Sequence, residues 1–275
     1  MIIVLILFLV LLLSALLYLI GLIGARKHPD MPFFTSYHYA HRGLHDSKLH
    51  IPENSLRAFR LAVEKGYGAE LDVHLSKDGK LVVMHDESLL RTANVDKNIC
   101  NCTAEELDGM LLEFTDEKIP YLEEVLPLFD GRTPLIIELK PINGNHATLT
   151  RKTCALLRQY PNVKFCMESF DPRVLYWLRR NQPKIIRGQL SCNFLKERHD
   201  LALPAAFALT NLMTNIVTLP HFVAYKFEDR NQISMRLCKK LWGVQEFDWT
   251  VRCMEDAQIA INDDAVIIFE YCHPK

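Results

Sequence analysis

Positions 2–24 hold no charged side chain and are almost entirely Ile, Leu, Val and Phe. At about 1.5 Å of rise per residue, a helix of that length crosses the roughly 30 Å hydrocarbon layer of a bilayer. It reads as a transmembrane helix, because a secretory signal would carry a basic leading region, a shorter apolar core and a small-residue cleavage site. Residues 25–36, with Pro29 and Pro32, read as a linker, and 37–275 as one globular domain.

Beyond position 36 the pattern changes. Short apolar runs rich in β-formers alternate with segments of helical period, as repeated βα units around a parallel sheet require. Strands are expected at 37–41, 69–74, 80–84, 135–139, 164–168, 185–189, 222–225, 244–249 and 266–269. Asp78-Gly79 is a tight-turn dipeptide between two of these runs, so 80–84 is expected to fold back as a hairpin partner, leaving eight parallel strands. Leu56, Phe59 and Val63 recur at helical spacing after Asn54-Ser55, which can cap the start, and Gly66 follows as a stop. Residues 88–118 contain no strong strand and read as an insertion after the second strand. Eight strands and intervening helices in ~250 residues fit an α/β fold of the (β/α)8 TIM-barrel type better than a doubly wound sheet.

Composition narrows the function. With 32 Lys+Arg against 33 Asp+Glu, the net charge of −1 gives no field to attract nucleic acid. Arg26 and Lys27 follow the apolar run and nothing basic precedes it, which places the domain on the cytoplasmic side of a cell membrane in a single-pass arrangement. The 8 cysteines are scattered and read as free thiols; Cys100 and Cys102 are too close in sequence for a zinc pair. The apolar stretch 201–222 reads either as an outer barrel helix or as a membrane-facing patch with Leu212 and Ile216 among its contacts.

In a barrel of this kind, reactive side chains gather where strands end at the C-terminal face. The first strand ends in His41-Arg42-Gly43. On the second, Glu70 and Asp72 share one face by the period-2 alternation, while Leu71 and Val73 take the other. Two acids at the mouth need an Arg, a Lys or a divalent cation such as Mg²⁺ or Ca²⁺ as a counter-charge. Glu138 and Lys140 share a face at the end of the 135–139 run, and Glu138 supplies a third carboxylate. The hairpin returns through Met84 to His85-Asp86, bringing a second imidazole toward Asp72. A cation with Arg and Lys to neutralise phosphoryl oxygens, plus two histidines to move protons, is a sufficient set for cleaving a phosphate ester.

Taken in order, His41-Arg42-Gly43, Pro52-Glu53-Asn54-Ser55, Glu70-Leu71-Asp72-Val73, Lys77-Asp78-Gly79, His85-Asp86, Glu138-Leu139-Lys140 and Ser169-Phe170-Asp171 resemble the glycerophosphodiester phosphodiesterase family, in its membrane-anchored bacterial form. The likeness implies a barrel with an insertion after the second strand and metal-dependent hydrolysis of glycerophosphodiesters to glycerol 3-phosphate and an alcohol. It puts catalysis on His41 and His85, metal carboxylates on Glu70, Asp72 and Glu138, phosphate contact on Arg42 and Lys140, and a substrate-side aromatic on Trp249. Two positions depart from the family pattern: Glu168 stands where a neutral polar residue is usual, and Phe269-Glu270-Tyr271 replaces a threonine-aspartate ending.

Blander readings stand beside these. An isolated Glu-x-Asp pair more often belongs to an internal ion cluster, here with Arg42 and Lys140. Glu53 and Asn54 can simply cap the first helix, and Trp249 can be barrel packing. His74 reads as an exposed strand residue, and His38, His45, His50, His146, His199 and His221 as surface or loop histidines. Two alternatives to the glycerophosphodiesterase are a lysophospholipase D-like hydrolase of membrane lipids and a catalytically silent membrane-bound barrel that binds a partner.

Overall fold

The computed structural model describes residues 1–197 and 201–274. Nine strands form: β1 Tyr39–Ala40, β2 Gly68–Leu75, β3 Leu81–Val83, β4 Leu135–Leu139, β5 Phe165–Ser169, β6 Arg187–Ser191, β7 Phe222–Lys226, β8 Gln245–Val251 and β9 Val266–Phe269. Each coincides with an expected run, with β6 displaced two residues toward the C-terminus. Parallel pairing runs β1-β9-β8-β7-β6-β5-β4-β2, and β1 also pairs with β2, so eight strands close a TIM barrel. β3 pairs antiparallel with β2 outside the ring, Val73 opposite Val83 and Leu75 opposite Leu81, as the Asp78-Gly79 turn predicts.

Alternation along the strands divides the core in two. Leu71, Val73, Ile137 and Leu139 point outward into the layer beneath the helices, while Tyr39, Ile136, Cys166, Phe222 and Phe247 fill the lower barrel. Inward positions one layer higher carry charge instead of carbon. The helix Leu56–Glu64 shows how local chemistry sets this frame: the Ser55 hydroxyl accepts from Ala58 N at 3.1 Å and caps its start, and Phe59 and Val63 bury its inner face.

Two expectations change, and the expected insertion at 88–118 stands. Within the linker 25–36, Met31–Thr35 is a helix whose Met31 and Phe34 are buried against the lower barrel core; Tyr39 donates its hydroxyl to Phe34 O at 2.8 Å. A plug, not a bare spacer, therefore precedes β1. Leu212 is no membrane contact: it is fully buried against Leu22, Val223, Tyr225 and Cys238, whereas Ile216 is exposed. Residues 88–118 fold around their own small core of Leu89, Ile99, Cys102, Leu107 and Leu112 on the outer side of β3. His199 lies outside the described residues.

The N-terminal helix Ile2–Gly21 is long and apolar enough to cross a membrane by length and composition. Its last turn is docked on the domain. Leu22 is fully buried, Trp242 Nε1 donates to Leu19 O at 3.0 Å, and the Cys238 thiol donates to Leu22 O at 3.2 Å.

Candidate active site

Parallel register builds the site. Asp72 on β2 stands opposite Glu138 on β4, and Glu138 opposite Glu168 on β5, which sets three acids in a row across neighbouring strands. Glu70 rises from the layer below. One oxygen each from Glu70, Asp72 and Glu138 lies within 4.8 Å of the others, and all three residues are buried. Lys140, just past β4, bridges Asp72 Oδ1 at 3.2 Å and Glu138 Oε1 at 3.1 Å.

The turn after β1 shapes one wall. Arg42 has φ 55° and Gly43 φ 78°, and a Cβ on Gly43 would meet Ala58 at 2.9 Å, so only glycine lets the chain turn there without a clash. This turn aims Arg42 N at Glu70 Oε2, 3.1 Å away, and brings the guanidinium to Glu53 Oε1 at 2.9 Å and near Asp72 Oδ2 at 3.7 Å. Asn54 donates to Asp72 Oδ2 at 2.8 Å. Of the blander readings, helix capping falls to Ser55; Glu53 and Asn54 instead hold the site's arginine and carboxylate.

Each histidine is held by its own carboxylate. His41 Nδ1 lies 2.6 Å from Glu270 Oε1, and His85 Nδ1 lies 2.6 Å from Asp86 Oδ1. With Nδ1 donating to a carboxylate, Nε2 is the nitrogen left to face the cavity; that of His41 is 3.8 Å from Glu70 Oε2. Glu270 is further tied to Arg252 Nε at 2.9 Å. Asp86 receives Arg91 Nε at 2.6 Å, and Arg91 grips Glu53 through two bonds of 3.1 and 2.7 Å. A continuous chain of charge thus runs Arg42, Glu53, Arg91, Asp86, His85.

Burial and crowding set the electrostatics. Burial, then the charges of Asp72, Glu138 and Glu168, push the Glu70 carboxyl well up, and burial raises Glu138 to about 7 against the pull of Lys140. Asp72 is equally buried, but Lys140, His85 and Arg42 outweigh that and hold it well below the usual range. Burial lowers His41 to about 4 despite its bond to Glu270.

His41, Arg42, Glu70, His85, Glu138, Glu168 and Trp249 line one cavity of about 40 Å³ at the C-terminal end of the barrel, with Phe170, Leu190 and Ile268. Asp72 and Lys140 join it through the contacts above, so every residue singled out for chemistry meets there. Trp249 faces Phe170 edge-on at 5.5 Å. Sequence reasoning missed Arg91, which sits in the 88–118 segment, and gave no partner to Glu270 or Asp86. One histidine, His74, corrects its expectation, and His45 keeps its place in the loop after β1. His74 is 2 % exposed because β3 and the segment beyond it cover that face, and its Nε2 lies 3.1 Å from His85 O. His45 is half-buried beside Glu270, edge-on to Tyr271.

Comparison with known proteins agrees with this geometry. The glycerophosphoryl diester phosphodiesterase family matches residues 41–266. A glycerophosphodiester phosphodiesterase of Caldanaerobacter subterraneus subsp. tengcongensis is 34 % identical over 233 residues, covering 81 % of this chain and 88 % of that protein. A human lysophospholipase D is 36 % identical over 140 residues, 46 % of this chain and 42 % of that one. Among solved structures, an Oleispira antarctica phosphodiesterase in complex with the product sn-glycerol-3-phosphate shares the fold, with TM-score 0.68, 24 % identity and coverage of 84 % of this chain and 91 % of that one. A Thermotoga maritima glycerophosphodiester phosphodiesterase gives TM-score 0.63 at 25 % identity, covering 84 % and 94 %. The chain belongs to the glycerophosphoryl diester phosphodiesterase family and so to the phosphoric diester hydrolases.

Proposed function

We propose that this chain is a divalent-cation-dependent phosphodiesterase that hydrolyses glycerophosphodiesters to glycerol 3-phosphate and an alcohol. The observation that carries the reading is the convergence of Glu70, Asp72 and Glu138 with His41 and His85 at one barrel mouth. A silent binding barrel has no use for three desolvated carboxylates and two carboxylate-held imidazoles in one pocket. The donor set suits a hard cation: oxygen atoms only, clustered within 4.8 Å, two of the carboxyls pushed toward protonation by burial and by their acidic neighbours. Glu70, Asp72 and Glu138 would hold Mg²⁺ or Ca²⁺, which when bound neutralises phosphoryl charge and makes a hydroxyl more acidic.

The chain's own residues supply the rest. Arg42 and Lys140 offer donors to the non-bridging oxygens of the phosphate, and Trp249 walls the substrate. One imidazole takes the proton of the attacking hydroxyl as its oxygen bonds to phosphorus. The other gives a proton to the departing alkoxide as the ester bond breaks. Glu270 and Asp86 keep both rings in the orientation that presents Nε2. The test is glycerol 3-phosphate release from glycerophosphocholine or glycerophosphoethanolamine, before and after EDTA. Release that EDTA abolishes and added cation restores supports the reading; release untouched by EDTA overturns its metal requirement.

We read the apolar helix as a retained single-pass anchor, with the domain on the cytoplasmic side. The docking of Leu22 and the bond from Trp242 to Leu19 favour retention, since cleavage would uncover an apolar socket on the domain. Mass analysis of the mature membrane-bound chain tests this, and a chain lacking residues 2–24 overturns it. The anchor also favours lysophospholipid as a second substrate class, which the same assay addresses with lysophosphatidylcholine in mixed micelles.

A further inference from the structure

Glu168 has no place in the chemistry described so far, and its surroundings are specific. It is 1 % exposed, lines the catalytic cavity, and its Oε2 is buried without a hydrogen-bond partner. Register sets it beside Glu138, while the three-carboxylate cluster is made by Glu70, Asp72 and Glu138. The nearby donors face other acids: Lys140 bridges Asp72 and Glu138, Asn54 bonds Asp72, and Arg42 bonds Glu53 through Nη1 with its Nε 3.7 Å from Asp72 Oδ2. A buried carboxyl oxygen without a partner is costly, and at a substrate cavity the missing partner is most simply a group on the ligand. Phe170, Leu190, Trp249 and Ile268 give the same cavity an apolar part beside its charged residues.

We propose that Glu168 accepts a hydrogen bond from a hydroxyl of the substrate's glycerol moiety and so selects polyol phosphodiesters over those of simple alcohols. The assignment deepens the phosphodiesterase reading and rests on it. Its strength comes from asymmetry: a site built to pair with a hydroxyl rejects the analogue that lacks it, because the acceptor is then left buried and unpaired.

The test measures binding by calorimetry to the full detergent-solubilised chain in Mg²⁺, with sn-glycerol 3-phosphate, propyl phosphate and phosphoethanolamine as probes. The wild type is expected to prefer glycerol 3-phosphate over propyl phosphate by about 10-fold or more. Glu168→Leu, which removes the acceptor, is expected to abolish that preference, and Glu168→Gln to keep part of it through the amide oxygen. A preference that survives in Glu168→Leu, equal weakening of both ligands, or a wild type that favours phosphoethanolamine would overturn the assignment. Turnover measured in parallel separates the two levels. A wild type that shows the binding preference yet cleaves no glycerophosphodiester contradicts the phosphodiesterase reading, not the role of Glu168.

Discussion

Two imidazoles in the cavity wall are set by the same device, a carboxylate 2.6 Å from Nδ1. Burial would raise the Glu270 carboxyl, but hydrogen bonds from His41 and His45 and the charge of Arg252 hold it well below its usual range. It therefore stays ionised and pairs best with His41 when that ring carries a proton. Glu270→Gln keeps a hydrogen-bond partner and loses the charge, so kcat is expected to fall on the order of 10²-fold or more with KM little changed, and the pH profile to shift. An unchanged profile and rate would show that Glu270 only packs. At the turn, Gly43→Ala places a Cβ 2.9 Å from the Ala58 backbone at φ 78°. It is expected to cost about 1–3 kcal/mol, read as a lower midpoint in thermal unfolding.

At the scale of elements, the β2–β3 hairpin and the segment after it act as one unit. The hairpin carries His85, and the helix Leu90–Ala93 supplies Arg91, which ties Asp86 to Glu53 and so to the β1 turn. Arg91→Ala is expected to lower kcat/KM about 10-fold while leaving cation affinity intact, since no metal carboxylate touches it. The barrel's underside holds a different constraint. Burial, with Arg187 and His28, lowers His221 to about 3, and its Nδ1 accepts from Arg187 N at 3.2 Å. An unfolded histidine titrates near 6.5, so between that value and about 3 the unfolded chain binds the extra proton and stability falls as pH falls. Thermal midpoints are expected to drop from pH 7 to pH 5, and His221→Asn, which can still accept that bond, to lessen the drop.

The strands and their acids were legible because alternation writes burial directly into β2 and β4, and Asp78-Gly79 marks the hairpin. What escaped notice depended on contacts between elements distant in sequence. His74 reads as exposed on its own strand and is covered only because β3 and the small core around Ile99 fold over it. Leu212 reads as surface until the last turn of the N-terminal helix covers it. Arg91 lies in a stretch with no period of its own, and its importance is set by Glu53 and Asp86. Met31 and Phe34 stand in a short proline-bearing stretch that resembles a spacer, yet they close the base of the barrel.

For the whole molecule, the apolar helix and the catalytic domain are mechanically joined through Leu22, Tyr18 and Trp242. Leu22→Ser buries a hydroxyl in an apolar socket and is expected to destabilise the domain by about 2–4 kcal/mol, seen as a lowered unfolding midpoint. The central claim is that the three carboxylates hold a divalent cation that the reaction requires. The most direct measurement is glycerol 3-phosphate release from a glycerophosphodiester by EDTA-stripped protein, titrated with Mg²⁺ or Ca²⁺, for wild type and Glu138→Gln. The account predicts saturable restoration in the wild type, with the variant needing about 10–100-fold more cation or failing to recover. Activity that persists in the stripped wild type, or equal restoration in both proteins, would contradict it.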